Sequence, residues 1–251
     1  PVKERIRVLC VGGSPDDTRY LAAALDPERS AESPIRPTVI TDGELADTEL
    51  ADFDAVFLSN IAQLTAEEAS RLARYVRSGG GLAMFVGERV NAESYNLATD
   101  DGRPLLPAQL GDVMEESRFG LDPHDYKHPI VAPFRGRERA GLLSTPISRY
   151  FQLELSDAAK ANSDLPAAEI ALSFPGGEPL IVTQTQGRGR VVHVATAGSM
   201  ASVDAARGQP WTTWPAWPSF LPIVREVLAY AVGGQQREWQ TTVGSPIVVA
   251  K

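Results

Sequence analysis

Two apolar runs with a helical segment between them form the clearest pattern in this chain. The runs, at residues 55–58 and 82–86, contain no polar residue, which is typical of strands buried on both faces of a parallel sheet. Between them, Leu72 and Val76 lie on one face of a helix predicted over residues 65–78, and a triple glycine follows it. The pattern predicts a strand–helix–strand unit of a doubly wound sheet.

Further apolar runs and helical segments continue this alternation along the chain. Glycine turns separate three runs in the C-terminal half, which predicts an antiparallel meander. We therefore predict an α/β fold, a three-layer flavodoxin-like sandwich whose mostly parallel sheet has the order 2-1-3-4 and an antiparallel extension. The additional strands are predicted at residues 6–11, 38–41, 150–155, 170–174, 180–185 and 190–196, and the additional helices at residues 18–25 and 220–232.

Regular patterning is interrupted between residues 95 and 148. Six prolines in this segment predict an irregular excursion over the strand ends rather than a second domain. The double glycine at residues 233–234 is predicted to end the last helix. We therefore assign residues 1–234 to one domain, and residues 235–251 to a linker and a strand-like tail that begins a following domain.

The composition narrows the range of functions. With 24 Lys+Arg against 32 Asp+Glu, the net charge is -8, which disfavours nucleic acid and anionic lipid as partners. The apolar runs are too short to cross a bilayer, so no direct membrane contact is predicted. The single cysteine, Cys10, lies in the first predicted strand, where burial favours a structural role. His193 lies among valines and is predicted to be a core residue with satisfied hydrogen bonds.

Candidate chemistry is expected at the carboxyl ends of the strands, where doubly wound sheets place their sites. The turn after residues 82–86 reads Gly87-Glu88-Arg89 and contains no cysteine, serine or threonine, so it offers no thiol or hydroxyl nucleophile. Polar residues that follow neighbouring strands are expected to meet this turn. The predicted ligand cleft consists of Gly12, Gly13, Ser14, Ser59, Asn60, Glu88, Arg89 and Ser199.

No cofactor and no metal ion are predicted. The small residues at positions 12–14 offer backbone N–H groups to an anion, but Asp16 and Asp17 would repel a phosphate at the start of the following helix. The weak metal candidate is the pair His124 and His128. Their spacing aligns two imidazoles only on a helix, and the flanking prolines disfavour a helix there.

Three tryptophans alternate with prolines in the segment before the last helix. If Trp211, Trp214 and Trp217 are buried, they fix this loop over the sheet; if they are exposed, they form a platform for a partner. Large aromatic side chains in proline-rich loops usually pack inward, and we favour the buried arrangement.

Four short motifs follow one another along the chain: Val-Gly-Gly at residues 11–13, Tyr-Val-Arg-Ser-Gly-Gly-Gly at 75–81, Pro-Leu-Ile-Val at 179–182 and Gly-Arg-Gly-Arg-Val at 187–191. Their order and spacing resemble the class I glutamine amidotransferase-like superfamily. The resemblance is closest to noncatalytic members that lie beside von Willebrand factor A domains in membrane-anchored bacterial proteins. Active members carry a cysteine in the turn that here holds Glu88 and Arg89, and a His and a Glu after the late strand that here leads into residues 196–200.

The resemblance implies a noncatalytic interaction or scaffolding domain of a larger envelope protein, with a degenerate amidotransferase-like site. The expected location is the extracytoplasmic part of a membrane-anchored protein, with a cytoplasmic location as the alternative. Its partners would be another protein or neighbouring domains of the same polypeptide. Two alternatives remain open at this point. One is a hydrolase or transferase that combines Glu88 with Ser199 or His128, and the other is a sensor of a small ligand at the strand edge.

Overall fold

The computed structural model describes residues 5–100, 102–115, 120–137, 140–155 and 166–236. Over these ranges the chain forms eleven strands and four α-helices. The strands are β1 (Ile6–Gly12), β2 (Ile35–Thr41), β3 (Ala55–Ser59), β4 (Gly81–Phe85), β5 (Thr99–Asp100), β6 (Arg103–Pro104), β7 (Ala108–Glu115), β8 (Arg149–Leu155), β9 (Glu169–Ser173), β10 (Pro179–Gln186) and β11 (Gly189–Val194). The helices are α1 (Pro15–Leu25), α2 (Ala66–Arg77), α3 (Ala92–Asn96) and α4 (Phe220–Gln236).

Seven of the strands form one mixed sheet in the order β2-β1-β3-β4-β11-β10-β9. The first five strands in this order (β2, β1, β3, β4 and β11) are parallel to one another, and β10 is antiparallel to both of its neighbours. The predicted α/β sandwich, the order 2-1-3-4 and the antiparallel extension are therefore confirmed. Every residue of β3 and β4 is buried, as their continuous apolar runs predict.

Helices cover both faces of this sheet. The β1-α1-β2 and β3-α2-β4 crossovers run in opposite directions along the sheet, so right-handed connections place α1 and α2 on opposite faces. The last helix, α4, lies beside α1, where Arg225 Nε donates a hydrogen bond to the carbonyl oxygen of Ala24 at 3.2 Å. None of the described helices is long and apolar enough to cross a membrane.

The segment between residues 95 and 148 is less irregular than its prolines suggest. It contains the eight-residue strand β7, which pairs with β8 in a separate antiparallel ribbon. Only Ala108 and Leu110 of β7 are buried, so its sequence lacks a sustained apolar alternation. The partner strand begins 34 residues after β7 ends, and local pattern does not reveal such a distant pairing.

The last helix continues through the double glycine that was expected to end it. A Cβ at Gly234 would collide with the carbonyl oxygen of Arg188, and one at Gly233 would lie 2.8 Å from Arg190 Nη1. The glycines therefore allow α4 to approach the β10–β11 turn closely, instead of acting as a stop. Residues 237–251 lie outside the described residues, so the predicted linker and following domain stay predictions.

Candidate functional site

The carboxyl ends of β1, β3, β4 and β11 meet at one edge of the sheet, as the topology requires. The backbone joins them there: Gly13 N donates to Ser59 O at 3.2 Å, and Asn60 N donates to Phe85 O at 3.0 Å. Ser199, which follows β11, donates its hydroxyl to the carbonyl oxygen of Asp16 at 2.9 Å. The structure thus brings the predicted cleft residues to one edge, while their role in binding stays a prediction.

Asn60 lies at the centre of this edge. Its Nδ2 group donates to Asp17 Oδ1 at 3.0 Å and to both carboxylate oxygens of Glu88 at 3.2 Å. Its Oδ1 accepts a hydrogen bond from Arg89 N at 3.1 Å. The backbone of Asn60 is left-handed, with φ at 53°, a conformation that asparagine tolerates better than most residues. Asn60 therefore fixes the geometry of the turn that would hold a nucleophile.

Asp17 is the buried acid of this site and is only 1% exposed. Desolvation raises the pKa of its carboxyl above the ordinary value, and the Glu88 charge raises it further. Hydrogen bonds from Asn60 and from Ser14 Oγ, at 2.8 Å, act in the opposite direction without cancelling the effect of burial. We call Ser14, Asp17, Asn60 and Glu88 the Asn60 cluster. The predicted ligand cleft included all of them except Asp17, which the sequence analysis considered only as a charge that repels phosphate.

Ser202 is a second residue that the sequence analysis missed. It is fully buried, and its Oγ has no hydrogen-bond partner among the described residues. A Cβ at Gly87 would lie 2.5 Å from this oxygen and would also collide with Asn60 Oδ1, so the turn needs glycine there. Because no base within the described part of the chain reaches the Ser202 hydroxyl, none of these residues activates it as a nucleophile.

The glycine turn after β1 is closed by Arg89. The Arg89 guanidinium donates to the carbonyl oxygen of Gly13, and a Cβ at Gly13 would lie 2.7 Å from Arg89 Nη1. The side chain thus covers the small residues that the sequence offered as an anion cradle. This contact, together with the carboxylate of Asp17, makes the start of α1 a poor phosphate site.

The segment that carries the two histidines of the weak metal candidate is not an α-helix. Residues 124–126 form one 3-10 turn, in which His124 and Asp125 have left-handed φ values of 46° and 58°. Helical alignment of the two imidazoles is therefore absent. Among the described residues, no group of three or more His, Cys, Asp or Glu side chains is arranged to hold a metal ion.

His128 belongs to a separate polar contact on the α4 side of the sheet. Its Nδ1 accepts a hydrogen bond from Ile130 N at 3.2 Å, so Nε2 carries the proton and lies 3.1 Å from Thr183 Oγ1. Burial, helped by the charge of Arg190, lowers the pKa of His128 to about 4. A neutral imidazole whose Nε2 carries the proton cannot act as a base toward Thr183.

Cys10 and His193 are fully buried within the sheet. Burial raises the pKa of the Cys10 thiol to about 12 and lowers the pKa of His193 to about 3. The expected structural role of Cys10 agrees with this environment. His193 is a core residue, as expected, and the backbone of Ala108 is the polar group next to its ring, although neither ring nitrogen meets strict hydrogen-bond geometry with a described residue.

The tryptophan row divides into two buried members and one exposed member. Trp211 and Trp214 are buried, and Trp214 Nε1 donates to Ser219 Oγ at 3.0 Å. Trp217 is 37% exposed and donates to the carbonyl oxygen of Gly141 at 2.9 Å. The favoured buried arrangement therefore holds for two of the three rings.

No protein-family model and no curated protein matches this chain. Solved structures do match it. Two of them are from Salmonella typhimurium. Cytoplasmic protein STM1381 matches with a TM-score of 0.64 and 17% identity, over 90% of this chain and 100% of that one. Cytoplasmic protein STM3548 matches with a TM-score of 0.62 and 16% identity, over 90% of this chain and 99% of that one. A ThuA-like protein from Bacteroides uniformis ATCC 8492 matches with a TM-score of 0.54 and 13% identity over 92% of this chain and 94% of that one.

These similarities concern the fold. ThuA-like proteins have the class I glutamine amidotransferase-like fold, so the fold that the resemblance implies is confirmed, while membership of the superfamily stays a prediction. The predicted extracytoplasmic location is wrong by the same comparison, because the two similar Salmonella structures are named cytoplasmic proteins. The von Willebrand factor A neighbour that the resemblance implies receives no support from these structures.

Proposed function

We propose that this chain is a noncatalytic interaction domain with a degenerate amidotransferase-like site. The observation that carries the proposal concerns the turn at residues 87–89, where active members of the superfamily carry their cysteine; we call it the nucleophile turn. Glu88 occupies it, and the Asn60 amide holds both of its carboxylate oxygens at 3.2 Å. The turn is thereby filled with groups that bind one another and that cannot attack a carbonyl carbon as an activated thiol or hydroxyl would.

The surrounding groups support this interpretation. Ser199 Oγ donates to the carbonyl oxygen of Asp16 and accepts from Ala201 N at 3.0 Å, so its proton is not directed to a base. His128 is engaged with Thr183 and Ile130, and Cys10 is buried inside β1. The alternative hydrolase, which needs Glu88 with Ser199 or His128, finds no assembled pair here.

We propose that the partner is another protein or a neighbouring domain of the same polypeptide, of the von Willebrand factor A kind that the resemblance implies. Three large apolar side chains are exposed and offer contact area at the surface. Leu143, Trp217 and Leu221 are 45%, 37% and 39% exposed. The hydrogen bond from Trp217 to Gly141 joins the segment that carries Leu143 to the segment just before α4.

The experiment that tests the noncatalytic assignment is an ammonia-release assay with glutamine, on the unaltered chain and on Glu88→Ala. We expect neither protein to release ammonia above the buffer rate, and we expect an electrophilic glutamine analogue to leave Cys10 unmodified by mass spectrometry. Release by the unaltered chain that Glu88→Ala abolishes would overturn the proposal and favour the hydrolase.

A further inference from the structure

A second polar region lies beside the carboxyl end of β11, outside the Asn60 cluster. There the β7–β8 ribbon meets the loop between β11 and α4, and Thr196 Oγ1 donates to the carbonyl oxygen of Arg149 at 2.7 Å. The region borders a cavity of about 400 Å³ that is open to solvent and large enough for a small metabolite. It is lined mainly by Glu115, Ser148, Arg149, Asp204, Arg207 and Gln209.

Backbone hydrogen bonds hold the walls of this cavity. Glu115 and Arg149 face each other in register across the ribbon. Ser148 N and Arg149 N both donate to the carbonyl oxygen of Trp211 at 2.9 Å. On the opposite wall, Asp204 N donates to the carbonyl oxygen of Gln209 at 2.9 Å and closes a tight turn. The frame therefore does not depend on the ion pairs inside it.

Glu115 lies between two guanidinium groups. Arg149 contacts one of its carboxylate oxygens, and Arg207 Nη1 is 2.7 Å from the other. Hydrogen bonds from Arg207 and then Arg149 hold the pKa of Glu115 below its ordinary value, so the group is ionised at neutral pH. The side chains of Glu115 and Arg207 are 47% and 58% exposed. Exposed ion pairs contribute little to stability, so another carboxylate can exchange with Glu115 at small cost.

Asp204 is the fixed charge of the cavity. Its side chain is 7% exposed, and its Oδ2 lies 2.6 Å from Arg149 Nη2 without the geometry of a hydrogen bond. When Glu115 turns away, Arg149, Arg207 and Asp204 leave one net positive charge, which matches one carboxylate. Ser148 and Gln209 add a hydroxyl and an amide at the wall, which suit hydroxyl groups on the remainder of the ligand.

We propose that this cavity, here called the Arg149 cavity, binds a small hydroxylated carboxylic acid whose carboxylate replaces that of Glu115 between Arg149 and Arg207. Glu115 then acts as an internal competitor that occupies the guanidinium pair when no ligand is bound. This site is independent of the degenerate nucleophile turn, so it goes beyond the proposed interaction function and does not rest on it.

The test is isothermal titration of the full chain with gluconate, with glucose as the matched uncharged compound and inorganic phosphate as a second anion. We expect saturable binding of gluconate and none of glucose. Removing the competitor with Glu115→Gln is expected to tighten gluconate binding about fivefold or more, and Arg207→Gln is expected to weaken it by a similar factor. The matched control is Arg7→Gln, which removes an exposed guanidinium paired with Asp52 and should leave the affinity unchanged.

Two results would overturn the proposal. One is the absence of saturable gluconate binding by both the unaltered chain and Glu115→Gln, which would make the ion pairs purely structural. The other is equal or tighter binding of phosphate or glucose, which would exclude the carboxylic acid as the ligand class. Far-ultraviolet circular dichroism of each variant confirms that it is folded before titration.

Discussion

Two polar regions at the carboxyl end of the sheet hold their charges in different ways. In the Asn60 cluster, the carboxylate of Asp17 is almost completely buried, and a single amide joins it to Glu88. In the Arg149 cavity, Glu115 and Arg207 form an ion pair at the surface beside open space. The first arrangement stabilises a closed turn, whereas the second can exchange one of its members.

The difference shows why chemistry-bearing residues at a strand edge do not by themselves define an active site. The Asn60 cluster occupies the position where the fold places a nucleophile, but its groups satisfy one another. The Arg149 cavity lies beside that position and keeps space for a ligand. Accessibility and exchangeable partners therefore separate the two regions better than topology does.

The largest effect is expected for the tryptophan that anchors the loop carrying Asp204 and Arg207. Trp214 is fully buried and packs edge-on against Phe220, with ring centroids 5.9 Å apart. Trp214→Ala should lower the free energy of unfolding by about 3–5 kcal/mol in urea denaturation. The matched variant Trp217→Ala removes a partly exposed ring and should lower it by about 1 kcal/mol. Equal losses would show that the loop is not anchored by the buried ring.

The next effect tests whether the Asn60 cluster is structural. Asn60→Ala removes the hydrogen bonds to Asp17, Glu88 and Arg89 and places alanine at φ 53°, so we expect a loss of about 2–4 kcal/mol. Asn60→Gly removes the same hydrogen bonds but adopts this φ freely, and should be less damaging by about 1 kcal/mol. If both variants unfold like the unaltered chain in urea, the cluster does not stabilise the turn.

Local pattern predicted the sheet well for a physical reason. Strands β3 and β4 are buried on both faces, so their apolar runs are continuous, and glycine turns separate β9, β10 and β11. The ribbon strand β7 escaped prediction because most of its residues face solvent and its partner lies far along the chain. A local apolar pattern therefore predicts which strands are buried, but it does not predict which polar strands pair over a long distance along the chain.

The candidate sites show the same difference between contacts that the local pattern predicts and contacts that depend on long-range folding. Asn60 and Glu88 were expected to meet because parallel strands end at one edge, and the structure brings them into contact. The hydrogen bond between Asn60 and Asp17, and the approach of Ser202 to Gly87, depend on loops that only the folded chain positions. Residues 115, 149, 204 and 207 come from three separate segments of the chain, and no sequence motif links them.

A smaller effect concerns the pH dependence of the Asn60 cluster. The pKa of Asp17 is raised in the folded chain, so the native state binds the proton more tightly than the unfolded state does. Stability from this group is therefore present at low pH and is lost as the pH rises from the ordinary carboxyl pKa through the raised one. Asp17→Asn removes this titration. The difference in unfolding free energy between the two proteins should shift in favour of the variant across that pH window, measured by urea denaturation at a series of pH values.

The smallest effect is expected at the Arg149 cavity, and it sharpens the contrast between the two regions. Glu115→Gln removes an exposed charge, so the urea midpoint should stay nearly unchanged at moderate salt. Asp204→Asn removes a buried charge that contacts Arg149 and should lower the unfolding free energy by about 1–2 kcal/mol. A large loss for Glu115→Gln that persists at high salt would mean that this carboxylate is a fixed structural group, as Asp17 is. The cavity would then lack the exchangeable member that distinguishes it from the Asn60 cluster.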